Sequence, residues 1–252
     1  MTGKTETAIE ATYLWNSGFL VRSGRLLLVF DDFEDKQDLV GRAIQAGGYN
    51  ALYLFASHAH FDHFDAHILA YAEAAQRYIF GYDIRHTKRG RTFPQEKTVY
   101  MKPYELWEDA HIRVESYDST DIGVAFRVTN KENDSVIFHA GDFNWWDWTG
   151  ETAENRKLAE NGFRKQLRKM EGMRADIAFF PVDGRLGRSQ DKGVREFVRA
   201  ADLGALVTMH DLEKSGWRPD AAFFPDGKVF PVWSPETAGE TRKFPQQGNR
   251  KI

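Results

Sequence analysis

The stretch SHAHFDHF, residues 57–64, holds three of the chain's eight histidines together with an aspartate, and His67 follows it closely. Just upstream, ALYLFAS (51–57) is a short uninterrupted apolar run, the pattern of a strand buried on both faces. Just downstream, DAHILAYAEAAQRY (65–78) reads as a helix with Asp65 placed to cap it. The histidines therefore fall in a strand-to-helix loop.

In extended chain, side chains two apart point the same way, so His58 and His60 can converge on one cation as the strand ends. Asp62 and His63 follow the turn and arrive from another direction, which suits a second cation beside the first. A polar loop of satisfied histidines is the plainer alternative, and the ordered spacing argues against it. His63 and His67 also stand at helical spacing, as in a zinc-protease helix, but residue 64 is Phe where that helix needs its general-base Glu.

At 252 residues, 42% hydrophobic and 14% aromatic, the chain can bury a sizeable core. Its 34 basic and 37 acidic residues give a formal charge of −3, so no general attraction to nucleic acid or to anionic membrane is expected. There is no cysteine, which excludes thiolate metal sites, iron–sulfur clusters, disulfides and cysteine nucleophiles. Metal ligands must be nitrogen or oxygen. The polar opening MTGKTETAIEAT has no signal-peptide core and LLLVF (26–30) is too short to span a bilayer, so a cytoplasmic protein is expected.

Strand signals open the chain in TYLWNSGFLVRSGRLLLVFDDF, with turns at Asn16-Ser17-Gly18 and Ser23-Gly24. A short helix over KQDLVGRAIQAGG is stopped by Gly47-Gly48. KTVYM, AHIRVESYD, GVAFRVTN and SVIFHAGDF read as a strand meander. From about residue 151 helices and strands alternate: ETAENRKLAENGFRKQLRKM, DIAFFPV, DKGVREFVRAADL and ALVTMH. With no linker and no internal repeat, residues 1–252 are expected to form a single domain.

HAHFDH resembles the H-x-H-x-D-H signature of the metallo-β-lactamase fold superfamily. The opening hairpin, Asp142 in FHAGDF and His210 in VTMH follow in the family's order, so the resemblance covers most of the chain. It implies an α+β fold, a four-layer αβ/βα sandwich of two mostly antiparallel sheets flanked by helices. It also implies two divalent metal ions, zinc first, with manganese or iron as alternatives. By resemblance His58 and His60 serve one ion, Asp62, His63 and His210 the other, and Asp142 bridges them; Asp31 or Asp32 would orient a ligand histidine from behind.

The family usually adds one more histidine to the first ion, from the loop that reads ESYDSTDIGVAF here. That loop has none. His111 sits at the far end of a strand, out of reach. Asp118, Ser119 and Asp121 lie in the right region, and a carboxylate can complete such a sphere; Asp121 is preferred, and His139 ranks behind it as a packed neighbour.

Trp145, Trp146 and Trp148 follow the bridging aspartate and are candidates for a substrate pocket, with simple burial as the alternative. Arg185, in VDGRLG after a strand, could grip an anionic substrate or sit in a solvated turn. RHTKRGR (85–91) could hold phosphates, although an exposed charged loop is the commoner outcome. The expectation is a metal-dependent hydrolase of a small-molecule ester, lactone or phosphoester, akin to the ascorbate-phosphate lactonase-like group. In it two cations acidify a water and Asp62 is the catalytic residue. A nuclease of the same fold and a non-catalytic metal-binding or sensor protein are the two rivals.

Overall fold

The first strand alternates between buried and more exposed positions, the next two are almost wholly buried, and turns at Asn16 and Gly24, both with positive φ, separate them, so the chain opens as three antiparallel strands. The computed structural model describes residues 8–211 and 216–247; the first seven residues of the polar opening lie outside them. The element order is β1 (Ala8–Trp15), β2 (Gly18–Ser23), β3 (Leu26–Phe30), α1 (Leu39–Ala46), β4 (Ala51–Ala56), β5 (Ala75–Gly81), β6 (Thr98–Met101), β7 (Leu106–Glu108), β8 (Ile112–Asp118), β9 (Val124–Asn130) and β10 (Val136–His139). There follow α2 (Ala153–Leu167), β11 (Arg174–Ala175), β12 (Ile177–Pro181), α3 (Lys192–Ala200), β13 (Asp202–Leu203), β14 (Leu206–Met209), β15 (Val232–Trp233) and β16 (Thr241–Pro245).

Two seven-stranded sheets result, in the orders β16-β1-β2-β3-β4-β5-β6 and β15-β14-β12-β10-β9-β8-β7. The expected α+β architecture is present, but the sheets are mixed rather than mostly antiparallel. In the first, β3, β4, β5 and β6 run parallel, and in the second β10, β12, β14 and β15 do. Parallel neighbours need crossovers. α1 joins β3 to β4, α2 lies between β10 and β12, and α3 between β12 and β14.

The inner faces share one core in which Phe19, Phe30, Phe55, Phe126 and Phe179 are fully buried. Phe163 of α2 and Phe197 of α3 close the outer side of the second sheet. A separate cluster on the outer side of the first sheet packs Val40 of α1 and Ile68 against Leu27, Leu52 and Leu54.

The helix expected over 65–78 is only a single 3-10 segment, Ala66–Tyr71, capped by the Asp65 carboxylate accepting from the His67 N–H at 2.9 Å. The rest of that stretch becomes β5, because Tyr78, Ile79 and Phe80 are buried on both faces between β4 and β6. β-rich content and a short connection override the local helical spacing.

Candidate metal centre

The parallel strands deliver their C-terminal ends to one edge of the molecule, where ligands gather in open α/β sheets. Asp31 follows β3, Ser57 and His58 follow β4, Asp83 lies just beyond β5, Asp142 beyond β10, Asp183 beyond β12, and His210 follows β14. Glycines let the two sheets close on this edge. A Cβ on Gly123 (φ +81°) would stand 2.1 Å from the Ser57 carbonyl oxygen, and one on Gly141 (φ +53°) 2.7 Å from the Ser57 Cβ. The Val124 N–H donates to that same carbonyl at 3.1 Å, tying the histidine loop to β9.

The histidines expected to converge do so. His58 Nε2 is 3.4 Å from Asp142 Oδ2, while His63 Nε2 and His210 Nε2 are 3.1 and 3.4 Å from Asp142 Oδ1. Asp62 Oδ2 lies 3.7 Å from both His63 Nε2 and His210 Nε2. His60 Nδ1 stands 3.0 Å from His58 Nε2 and 3.6 Å from Asp121 Oδ2. The donor atoms fall into two groups, His58, His60, Asp121 and Asp142 in one and Asp62, His63 and His210 in the other.

Behind these atoms the histidines are fixed. Asp31, fully buried, accepts from the Ser57 N–H and hydroxyl at 2.7 Å each and faces His63 Nδ1 at 2.7 Å. Asp183 faces His210 Nδ1 at 3.0 Å, and the Ser57 hydroxyl faces His58 Nδ1 at 2.9 Å. A carboxylate can only accept, so Nδ1 carries the proton in His63 and His210 and the Nε2 lone pair points inward, the arrangement that metal-ligating histidines use. His210 holds this pose at φ +60°, with its N–H donating to the Asn16 carbonyl at 3.2 Å.

This donor set fits divalent cations. Two of its buried atoms, His63 Nε2 and Asp142 Oδ1, have no hydrogen-bond partner. Burial opposes a charge on His63, yet the Asp142 and Asp31 carboxylates drive its pKa well above the ordinary imidazole value. Burial likewise opposes the Asp142 anion, but His63, His210 and His58 hold its carboxyl far below the usual range. Burial and the neighbouring His63 push His58 down to about 3, so it stays neutral and able to donate a lone pair. Burial and Asp142 raise Asp121. The raised pKa of His63 marks the Asp142 carboxylate as the group that draws positive charge into the centre, a charge that a divalent cation would supply in place of the proton, leaving the His63 Nε2 lone pair free to donate.

Other expected residues settle elsewhere. Asp31, not Asp32, stands behind His63; Asp32 faces His67 Nε2 at 3.3 Å, away from both donor groups. His139 lies outside both donor groups: its ring stacks on Phe30 at 5.1 Å, its Nε2 lies 2.9 Å from the Ser17 carbonyl oxygen, and its Nδ1 stands 3.9 Å from Asp31 Oδ2, behind the centre. His111 faces Glu132 instead, at 3.5 Å.

A cleft of about 390 Å³ opens over the centre, lined by His60, Asp62, Thr120, Trp146, Trp148 and Arg185, among others. Trp146 and Trp148 stack at 5.8 Å, and the Trp146 Nε1–H donates to the Asp142 carbonyl at 2.9 Å. Trp145 turns away and stacks on Phe163 under α2. Arg185 lies 5.5 Å from the Trp148 ring centroid and is bound to Asp183 through two nitrogens. Asp183, Thr120 and Asn16 are the residues sequence reading missed: Asn16 Nδ2 donates to Asp62 Oδ2 at 3.3 Å, and the Thr120 hydroxyl donates to the Asn144 carbonyl at 2.7 Å. For Asp183 the available signal was an acid just past an apolar strand.

No protein-family model matches the sequence, and no curated protein is a significant sequence match. Solved structures do match. Igni18, a metallo hydrolase from the archaeon Ignicoccus hospitalis, superposes with a TM-score of 0.63 at 15% identity, over 96% of this chain and 100% of the other. YhfI from Bacillus subtilis, a metallo-β-lactamase fold protein, gives 0.53 at 15% identity over 93% and 99% of the two chains. Human tRNase Z, short form, gives 0.53 at 14% identity over 94% and 99%. At this level of identity the likeness is one of architecture, and the architecture is the metallo-β-lactamase fold.

Proposed function

We propose that the chain is a metal-dependent hydrolase of small molecules. In this reading His58, His60, Asp121 and Asp142 hold one divalent cation, and Asp62, His63, His210 and Asp142 hold a second. The observation that carries it is the convergence of three imidazole Nε2 atoms, from His58, His63 and His210, on the two oxygens of one buried carboxylate, Asp142. Zinc suits this nitrogen and oxygen set, and manganese or iron are the alternatives.

Bound cations supply Lewis acidity toward the scissile group and acidify a water near neutral pH. The chain's own groups do the rest. Asp62, mostly buried and held by Asn16, orients the attacking water and accepts its proton. Trp146 and Trp148 form an apolar wall that excludes bulk water from one side of the cleft. Arg185, pinned by Asp183 against Trp148, presents guanidinium N–H donors in a fixed orientation to a polar part of an ester, lactone or phosphoester.

The test uses protein purified without chelator: metal analysis first, then turnover on esters, lactones, phosphomonoesters and phosphodiesters. Metal-dependent hydrolysis of a small substrate that is lost in Asp142→Asn is expected. Bound metal without turnover on any class would favour a sensor or storage role and overturn the enzyme reading. Turnover restricted to RNA would move it to a nuclease.

A further inference from the structure

A second cleft, more voluminous than the one over the metal centre, lies elsewhere on the molecule. On the outer side of the first sheet, at its β6 edge, a cleft of about 510 Å³ is lined by Arg85, His86, Arg91, Phe93, Gln95 and Tyr100, together with Gly90 and Thr98. It shares no lining residue with the cleft over the metal centre. Its volume lies within the range typical of small-molecule sites.

Three basic side chains, Arg85, His86 and Arg91, face this one space. Among the described residues none of them is paired with a carboxylate, whereas Arg89 in the same run is 3.6 Å from Asp65. The Arg85 guanidinium instead lies 6.0 Å from the centroid of the Tyr100 ring, which holds it at the cleft without cancelling its charge. Arg91 donates to the His86 carbonyl at 3.3 Å, a contact that fixes its position and leaves its charge intact. In a chain of net charge −3 such an excess is local.

The wall that carries these groups is fixed. The Thr87 hydroxyl donates to the Ile84 carbonyl at 2.9 Å and accepts from the Gly90 N–H at 2.8 Å, and the Tyr100 hydroxyl donates to the Gly90 carbonyl at 2.9 Å. A Cβ on Gly90 would come within 2.0 Å of the Ile84 carbonyl oxygen, so only glycine lets the segment fold back so tightly. A merely solvated charged loop needs none of this. Two guanidiniums with an imidazole match a phosphate, which offers three acceptor oxygens and two negative charges, better than a single carboxylate. Phe93, buried, and Tyr100 add an apolar flank suited to the rest of a phosphorylated small molecule.

We propose that the Arg85/His86/Arg91 cleft is a binding site for a small phosphate ester, separate from the metal centre. The probes are inorganic pyrophosphate and adenosine monophosphate, titrated calorimetrically into the full chain at fixed ionic strength with sodium chloride as control. Saturable binding of at least one phosphate probe is expected, weakened at least tenfold in R85Q/R91Q, with metal content and circular dichroism unchanged. Gln95→Glu, which places a negative charge in the lining, should weaken it as well. Phosphate binding that survives R85Q/R91Q and disappears on metal removal would place the anion at the metal centre and overturn the proposal. So would heat no larger than the chloride control, or binding seen only with oligonucleotides and strengthening with their length.

Discussion

A carboxylate behind an imidazole decides which ring nitrogen keeps its proton, and so which nitrogen can face a cation. Asp31 does this for His63 and Asp183 for His210, at 2.7 and 3.0 Å. Asp183→Asn keeps the shape but allows the amide to donate, so the His210 ring loses its enforced tautomer. The affinity of the ion held by Asp62, His63 and His210 should then fall about 10–100-fold, measured by competition with a chelating dye. In the proposed reaction Asp62 acts on the water rather than on a ring. Asp62→Ala should cut turnover by at least about 100-fold while leaving the circular dichroism spectrum unchanged, and an unaltered rate would remove it from the reaction. The choice between Asp31 and Asp32 shows where sequence stops. Both end an apolar strand, and only the left-handed turn at Asp31 (φ 44°) decides which carboxylate goes inward beneath His63 and which outward to His67.

At the scale of elements, the site is a consequence of strand direction. HAHFDH was legible because its ligands are local, crowded into one loop after β4, and the family resemblance supplied Asp142 and His210. Asp183 was not legible: its partner is 27 residues away, and only the parallel pairing of β12 with β14 brings the two strand ends together. The same pairing logic explains β5, misread as helix, and the short edge strands β7, β15 and β16, whose few residues carry little pattern of their own. The tryptophan loop is fixed by a buried acid. Asp147 accepts from Arg156 Nε of α2 at 2.5 Å and from the Ser189 hydroxyl at 2.8 Å, and it pairs with Lys192 of α3. These bonds, with Arg156 foremost, hold the Asp147 carboxyl well below the ordinary carboxylate range. A depressed folded-state pKa stabilises above the unfolded value of about 3.9 and is lost as pH falls toward the folded value. Asp147→Asn should therefore cost about 1–3 kcal/mol in chemical denaturation near neutral pH, and the difference from the parent chain should shrink below about pH 4. Because Trp146 and Trp148 flank this residue, KM for a small substrate should rise in the same variant.

At the scale of the whole molecule, two sheets must close on each other before the donor set exists, so cation binding and folding are linked. The two donor groups are alike in chemistry, each with two imidazoles and two carboxylates when Asp142 is shared between them. A count of nitrogens and oxygens would predict equal affinity. Exposure argues otherwise. The side chains of His60 and Asp121 are 51% and 47% exposed, against 0% for His63, 5% for His210 and 16% for Asp62. The buried group is also held from behind by Asp31, Asp183 and Asn16, so less ordering is left to do when an ion arrives. Titration of zinc into metal-free protein should then show two separated affinities, with the group containing His63 filled first. Asp121→Ala should weaken only the second step. At 100-fold excess over its Kd, an ion filling the tighter site adds about 2.7 kcal/mol to the folded state. For a chain of this size that corresponds to a rise in Tm of about 5–10 °C, read by scanning calorimetry with and without chelator. Two equal steps that both ignore Asp121→Ala would show that exposure does not set the order of filling and that Asp121 is not a ligand.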